Sequence, residues 1–129
     1  MALPLRLQGV GAGIRHRRAR DLLEFTGLAA RESHFPHQLS GGEMQRAAVA
    51  RALIHQPKLV IADEPTGNLD SAATDRVLQL LRDVHANHHT TLVLVTHSET
   101  VAAAAERQIR LRDGQMVADE RMADTVFHA

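Results

Sequence analysis

The sequence predicts an α/β fold in which parallel strands are flanked by helices, and three observations carry that prediction. Two short unbroken apolar runs, Leu59-Val60-Ile61-Ala62 and Leu92-Val93-Leu94-Val95, each stop at polar residues, Asp63-Glu64-Pro65 and Thr96-His97. Between them Ala73, Val77, Leu80, Leu81 and Val84 recur at helical spacing on one face. Asp113-Gly114 separates two further strand-like segments, a strong signal for a two-residue hairpin. Apolar runs bounded by breakers fit strands buried on both faces of a parallel sheet. A helix between two such strands implies a right-handed βαβ unit.

Taken in order, residues 1–13 hold three glycines (Gly9, Gly11 and Gly13) and show no clear periodicity. Gly9-Val10-Gly11-Ala12-Gly13 reads as a flexible connection. A helix is expected from about Arg17, with Ala19, Leu22, Leu23 and Thr26 on one side and Gly27 as its stop. Residues 31–38 form a polar connection containing Pro36. Residues 40–54 read as a helix opened by Ser40 and Glu43, an S-x-x-E capping box, and closed before Pro57. Ser98 is placed to cap a short alanine-rich helix over residues 101–106. Residues 109–112 and 115–118 are the arms of the hairpin, and residues 121–129 carry no usable pattern.

Composition narrows the function classes. A chain of 129 residues allows one domain, and 44% hydrophobic with 23% charged residues excludes a disordered polymer. Basic and acidic residues balance, 15 against 15, which gives no reason to expect nucleic acid as a partner. There is no cysteine, hence no disulfide framework and no thiolate zinc site. No apolar run reaches membrane-spanning length, and the N-terminus lacks a charged-then-apolar leader pattern. A cytoplasmic α/β protein is the expectation.

Three places carry candidate chemistry. At Ser40-Gly41-Gly42 two glycines at a helix start let the backbone approach a ligand closely, and the free N–H groups there attract anions. The Ser40 hydroxyl adds a donor for a phosphate oxygen. Asp63-Glu64 stands at the carboxyl end of a strand, where open α/β sheets bind ligands. Asp63 suits Mg2+ held through water, and Glu64 suits a general base that polarises an attacking water. Pro65 is expected to keep Glu64 extended. His97, at the end of the second strand, is able to hydrogen-bond a terminal phosphate. His85, His88 and His89 have helix-compatible metal spacing but lie in a polar helix end, where a solvated terminus is the expected reading.

In this order the segments resemble the ATP-binding cassette (ABC) family, over roughly residues 1–120. Leu39-Ser40-Gly41-Gly42-Glu43-Met44-Gln45-Arg46 is similar to the family's signature motif. Residues 59–64 resemble the Walker B strand with its catalytic glutamate, Asn68-Leu69-Asp70 the D-loop, and His97 the switch histidine. The run from Ala62 through Pro65-Thr66-Gly67-Asn68 to Asp70 is similar to the branch serving lipoprotein release, macrolide-type export and related mechanical transporters.

The resemblance implies a partial P-loop NTPase (RecA-like) core of parallel strands with flanking helices, a piece of the ABC helical subdomain, and a C-terminal β-hairpin. Residues 1–56 would be the helical subdomain, 57–120 the core and hairpin, and 121–129 a tail. Glu64 and His97 would be catalytic and Asp63 would serve Mg2+. Ser40, Gly41, Gly42 and Gln45 would contact ATP bound by a second ATPase subunit in a head-to-tail dimer, and Asp70 would lie at the dimer contact. A transmembrane permease subunit would hold the chain peripherally at the cytoplasmic side of a bacterial inner membrane.

The sequence departs from the family at one decisive place. A phosphate-binding loop needs G-x-x-x-x-G-K-[ST], and the only lysine is Lys58, directly before the first strand. The glycines at 9–13 lack the lysine and the preceding strand. The Q-loop and the adenine-stacking aromatic are also missing. The expectation is a C-terminal part of an ATPase domain that binds little ATP alone and leaves strand edges and apolar faces exposed. A truncated, non-catalytic module that only associates with transporter subunits is the alternative. The C-terminal lobe of a chromosome-maintenance ATPase would need heptads before residue 39, and none are there.

Overall fold

The computed structural model describes residues 2–122. The chain divides between Val95 and Thr96 into two units.

The first unit opens with two helices, the first in a stretch where the sequence showed no clear periodicity, and the glycine-rich run at 9–13 joins them. Helix α1 spans Leu3–Leu7, with Pro4 in its first turn, and α2 spans Ala12–Phe25 rather than starting near Arg17. The glycines are punctuation between them. Gly9 takes φ +72°, its N–H bonds Arg6 O at 3.1 Å, and Val10 N–H bonds Leu5 O at 3.0 Å. That pair of bonds is a Schellman closure of α1. Gly11 then supplies the extended N-cap of α2. Gly27, at φ +68°, repeats the closure at the end of α2 through Glu24 O and Leu23 O. Here the sequence reading gave way because two adjacent caps resemble a flexible run when read only by composition.

The polar connection contains two single 3₁₀ turns, Ala29–Arg31 and Pro36–Gln38. Helix α3 (Gly41–Leu53) begins as expected: Ser40 Oγ accepts from Glu43 N, and Glu43 Oε2 accepts from Ser40 N at 2.8 Å. Strand β1 (Leu59–Asp63) leads through a turn into α4 (Ser71–His88) and then β2 (Thr91–Val95). The two strands pair in parallel, Leu59 opposite Thr91 through Asp63 opposite Val95.

The core lies among the helices. Leu5, Leu28, Ala50, Leu53 and Ile54 are buried, as are Ala73, Val77, Leu78, Leu80, Leu81 and Val84 of α4. Helix α4 packs on both α3 and β2. The sheet falls short of the burial on both faces that the apolar runs suggest and shows the exposed apolar face expected of a part of an ATPase domain. One row is half-buried (Val60, Ala62, Leu92, Leu94), but the opposite row is open, with Ile61 66% and Val95 52% exposed. The crossover helix covers one face of this two-stranded sheet, and among the described residues nothing covers the other.

In the second unit Ser98 caps α5 (Glu99–Ala102), which is shorter than the helix expected over 101–106. Bonds of i to i+3 spacing at Ala104 and Ala105 unwind it, and one turn has too few hydrogen bonds to propagate against the chain's path into a strand. Strands β3 (Arg107–Arg112) and β4 (Gln115–Arg121) pair antiparallel with a bulge after Arg110. Asp113 and Gly114 both have positive φ, +50° and +74°, as a type I′ turn requires. Arg107 grips Asp119 through two bonds of 2.8 and 2.7 Å, which hold the Asp119 carboxyl below its usual range. Of the expected tail, residues 123–129 lie outside the described residues.

Candidate functional site

The N-termini of α3 and α4 meet in a groove of about 290 Å³. Ser40, Gly41, Gly42, Glu43 and Arg46 form one wall, and Asn68, Leu69, Asp70, Ala73 and Arg76 the other. Residues 28 positions apart in sequence are thereby in contact. A Cβ on Gly42 would stand 3.2 Å from Ala73 Cβ, and one on Gly41 would stand 3.4 Å from Leu69 Cδ2. Gly42 is thus what allows the two helix starts to approach, while at Gly41 the contact would be an ordinary one. A second, more open hollow of about 370 Å³ runs along α4 from Asp75 to Arg82 and holds none of the candidate residues.

Each helix start is closed by its own side chain. Asp70 Oδ1 accepts from Ala73 N at 2.7 Å, capping α4. On α3 the capping box occupies the Glu43 carboxylate, and Arg31 Nε donates to its other oxygen at 2.9 Å. The Arg31 bond first, then the Ser40 N–H, lower the Glu43 pKa from 4.5 to about 2. Glu43 therefore stays ionised and partnered. Arg46 Nε donates to Thr26 O at 3.1 Å and fastens α3 to the end of α2. The first-turn N–H groups of Gly41 and Gly42 have no acceptor four residues back, and the Ser40 hydroxyl keeps a proton to donate. With Arg46 and Arg76 beside them, these donors fit a phosphate-type anion.

The structure groups Ser40, Gly41, Gly42 and Asp70 and leaves Gln45, half-buried on α3, outside the groove walls. Asp63 is exposed at the end of β1. Glu64 departs from expectation: its φ is +43°, in the left-handed region, although it precedes proline. The reason lies on both sides of it. Its N–H continues the ladder to Val95 O at 2.8 Å, while its carbonyl accepts from Gly67 N at 3.2 Å to close the turn. A non-glycine residue held there stores strain of order 1–3 kcal/mol, of the kind found where a side chain must be aimed. His97 belongs to the second unit, two residues past β2, and is exposed.

The histidines of α4 separate in use. His85 Nδ1 lies 3.0 Å from Thr90 O, the His88 ring meets Phe25 edge-on at 5.2 Å, and His89 is the left-handed C-cap. Lys58 precedes β1, and its carbonyl accepts from Thr91 N at 2.9 Å. It therefore stands at the amino ends of the strands, about 16 Å of strand away from Asp63, and cannot stand in for a phosphate-loop lysine. Sequence reasoning missed Arg76; the signal available was its position on the same helix face as Ala73, i and i+3.

The parallel strands, the flanking helices and the hairpin are part of a P-loop NTPase fold of the kind found in ABC cassettes. The chain matches a bacterial ABC transporter cassette, MJ0796, in its dimeric form at 40% identity and TM-score 0.76, over 89% of this chain and 50% of that one. It also matches a dimeric post-hydrolysis state of MJ0796 bound to ADP and Pi at 38% identity and TM-score 0.81, over 95% and 55%. The ABC transporter family model matches residues 7–67. A lipoprotein-releasing system ATP-binding protein, LolD, of Geobacter metallireducens is 50% identical over 117 residues, 91% of this chain and 52% of the relative. A macrolide export ATP-binding/permease protein, MacB, of Rhodopirellula baltica is 51% identical over 109 residues, 84% of this chain and 16% of the relative. The family model and these relatives support an ABC ATP-binding family, in the lipoprotein-release and macrolide-export-like branch, as what the chain resembles over the matched residues. It spans about half the length of the LolD relatives it matches. Among the described residues no helix is long and apolar enough to cross a membrane.

Proposed function

We propose that this chain is part of the ATP-binding and ATP-hydrolysing subunit of a bacterial ABC export-type transporter, coupling hydrolysis to substrate export or lipoprotein release. The observation that carries the reading is the groove in which the signature and D-loop segments converge on two helix starts. Residues 1–56 act as the helical subdomain and residues 57–120 as the core and hairpin. The partners are a transmembrane permease subunit, which holds the chain at the cytoplasmic side of the inner membrane, and a second ATPase subunit.

Bound ATP with Mg2+ supplies the phosphoryl group and the charge neutralisation that its transfer needs. The chain's own residues bind and orient. The N–H groups of Gly41 and Gly42 and the Ser40 hydroxyl receive the terminal phosphate of nucleotide held by the second subunit, with Gln45 behind them on α3. Asp70 fixes the start of α4 at the dimer contact. Asp63 takes the metal through water, Glu64 accepts a proton from the attacking water, and His97 orients the phosphate. The left-handed backbone at Glu64 supports its role, since the turn fixes where its carboxylate starts from.

The chain lacks a phosphate-binding loop, so the purified 129-residue polypeptide should show no saturable ATP binding at micromolar nucleotide. Co-expressed with a family segment that carries such a loop, it should hydrolyse ATP. Glu64→Gln in that complex should lower kcat on the order of 10²-fold or more while nucleotide still binds. A kcat indifferent to Glu64→Gln would remove the catalytic assignment.

A further inference from the structure

Four charged side chains stand in the walls of the α3–α4 groove: Glu43, Arg46, Asp70 and Arg76. The fold employs both carboxylates for itself, Glu43 on Ser40 N and Arg31, Asp70 on Ala73 N. The two arginines differ from each other. Arg76 is exposed, and its helix neighbours at three and four positions are Ala72, Ala73, Gln79 and Leu80, none of them an ion partner. Arg46 is half-buried and anchored, since its Nε donates to Thr26 O at 3.1 Å.

The anchor is itself fixed. Thr26 is 3% exposed, and its hydroxyl donates to Leu22 O at 2.8 Å where α2 closes. From Thr26 the guanidinium reaches back one turn along α3, and a Cβ on Gly42 would stand 3.7 Å from Arg46 Nη1. The Nη groups make no hydrogen bond among the described residues. Positive charge is thereby held beside the first turn of its own helix, the positive end of the dipole. Helix stability alone favours an acid there. A phosphate oxygen reached by both the helix N–H groups and the guanidinium turns the same placement into a gain. Because the Nε bond has already fixed the rotamer, an anion meets this arginine without the entropy cost of ordering it.

We infer that Arg46 is a further phosphate-contacting residue of the groove: Thr26 O holds Nε, and the Nη groups donate to the anion that Gly41 and Gly42 receive. The inference rests on the groove being where the terminal phosphate of the second subunit's nucleotide is received. It gives the end of α2 a part in that contact, as the fixed point from which the guanidinium is aimed.

The test is an NMR titration of the whole chain with inorganic phosphate in the millimolar range. The Gly41 and Gly42 amide resonances should shift and saturate, and the Arg46 Nε–H resonance should shift with the same midpoint. An arginine that only fastens α3 to α2 would leave that resonance still. In Arg46→Gln the glycine midpoint should rise on the order of tenfold, because a charge-assisted bond is lost. Arg46→Lys should fall between the two, since an ammonium keeps the charge but lacks the fork that serves Thr26 O and the phosphate together. Arg17→Gln, on α2 and outside the groove walls, removes the same charge and should leave the midpoint unchanged. A native midpoint in Arg46→Gln, a still Arg46 resonance, or an equal loss in Arg17→Gln overturns the assignment and leaves the groove standing. No shift at Gly41 and Gly42 in the native chain overturns the groove, and the assignment with it.

Discussion

The meeting of α3 with α4 and the β1–β2 sheet are neighbours in sequence and opposites in construction. At the helix meeting, each exposed start is closed by a side chain from its own sequence: Ser40 and Glu43 on α3, Asp70 on α4. Glycine sets the spacing and alanine fills it. The sheet closes only where α4 covers it. Its other row presents Leu59, Ile61, Val93 and Val95 to solvent. Local sequence signals suffice where every partner lies within a few turns of helix. A parallel sheet takes its partners from far along the chain, and two strands are too few to bury both faces.

The largest effect should separate the two faces of this α/β layer. Leu81, 3% exposed on α4, should cost about 2–5 kcal/mol when replaced by alanine, because a cavity forms where packing cannot collapse. Ile61→Thr, on the open row, should change stability little and reduce self-association. Chemical denaturation and sedimentation velocity on both variants check the pair. Equal destabilisation by the two would mean that the open row is covered in solution.

Legibility followed the same division. The α3 capping box and the Asp113-Gly114 turn were readable because each is complete within a few residues. The apolar runs located β1 and β2, but burial of one row only is a tertiary fact. At Gly9 and Gly11 two caps lie so close that composition suggested looseness where two helices meet. Glu64 misled because Pro65 biases its predecessor toward extended backbone, while the bond to Val95 O and the Gly67 turn override that bias. Of the site, Ser40, Gly41, Gly42 and Asp70 were identifiable singly, but their convergence, and the arrival of Arg76 beside them, depends on how α3 packs on α4.

A middle-sized effect should sharpen the helix meeting itself. Gly42→Val places two methyl groups where even a Cβ stands 3.2 Å from Ala73. Overpacking of this kind costs about 1–3 kcal/mol. Gly41→Ala faces only an ordinary 3.4 Å contact with the flexible end of Leu69 and should cost far less, since alanine gains helix propensity of about 1 kcal/mol over glycine. Thermal or urea denaturation of the two variants checks the contrast. Similar losses at both positions would mean that backbone freedom, rather than the close approach of α3 to α4, is what the glycines provide.

The smallest effect concerns charge at the same place. Glu43 has a folded pKa of about 2 against an ordinary 4.5, chiefly through Arg31. A depressed carboxylate pKa stabilises the fold above the unfolded value, and the contribution fades as pH falls from about 4.5 through about 2. Glu43→Gln separates charge from cap, because glutamine also completes an S-x-x-E/Q box. The variant should therefore be slightly less stable than the native chain at pH 7, with the difference closing at pH 2.5. Solvent screens this exposed pair, so the difference should also shrink in 0.5 M salt. Denaturation midpoints for both chains across this pH range decide the matter: parallel profiles would mean that the α3 start is held by the capping box alone, and Arg31 adds nothing to it.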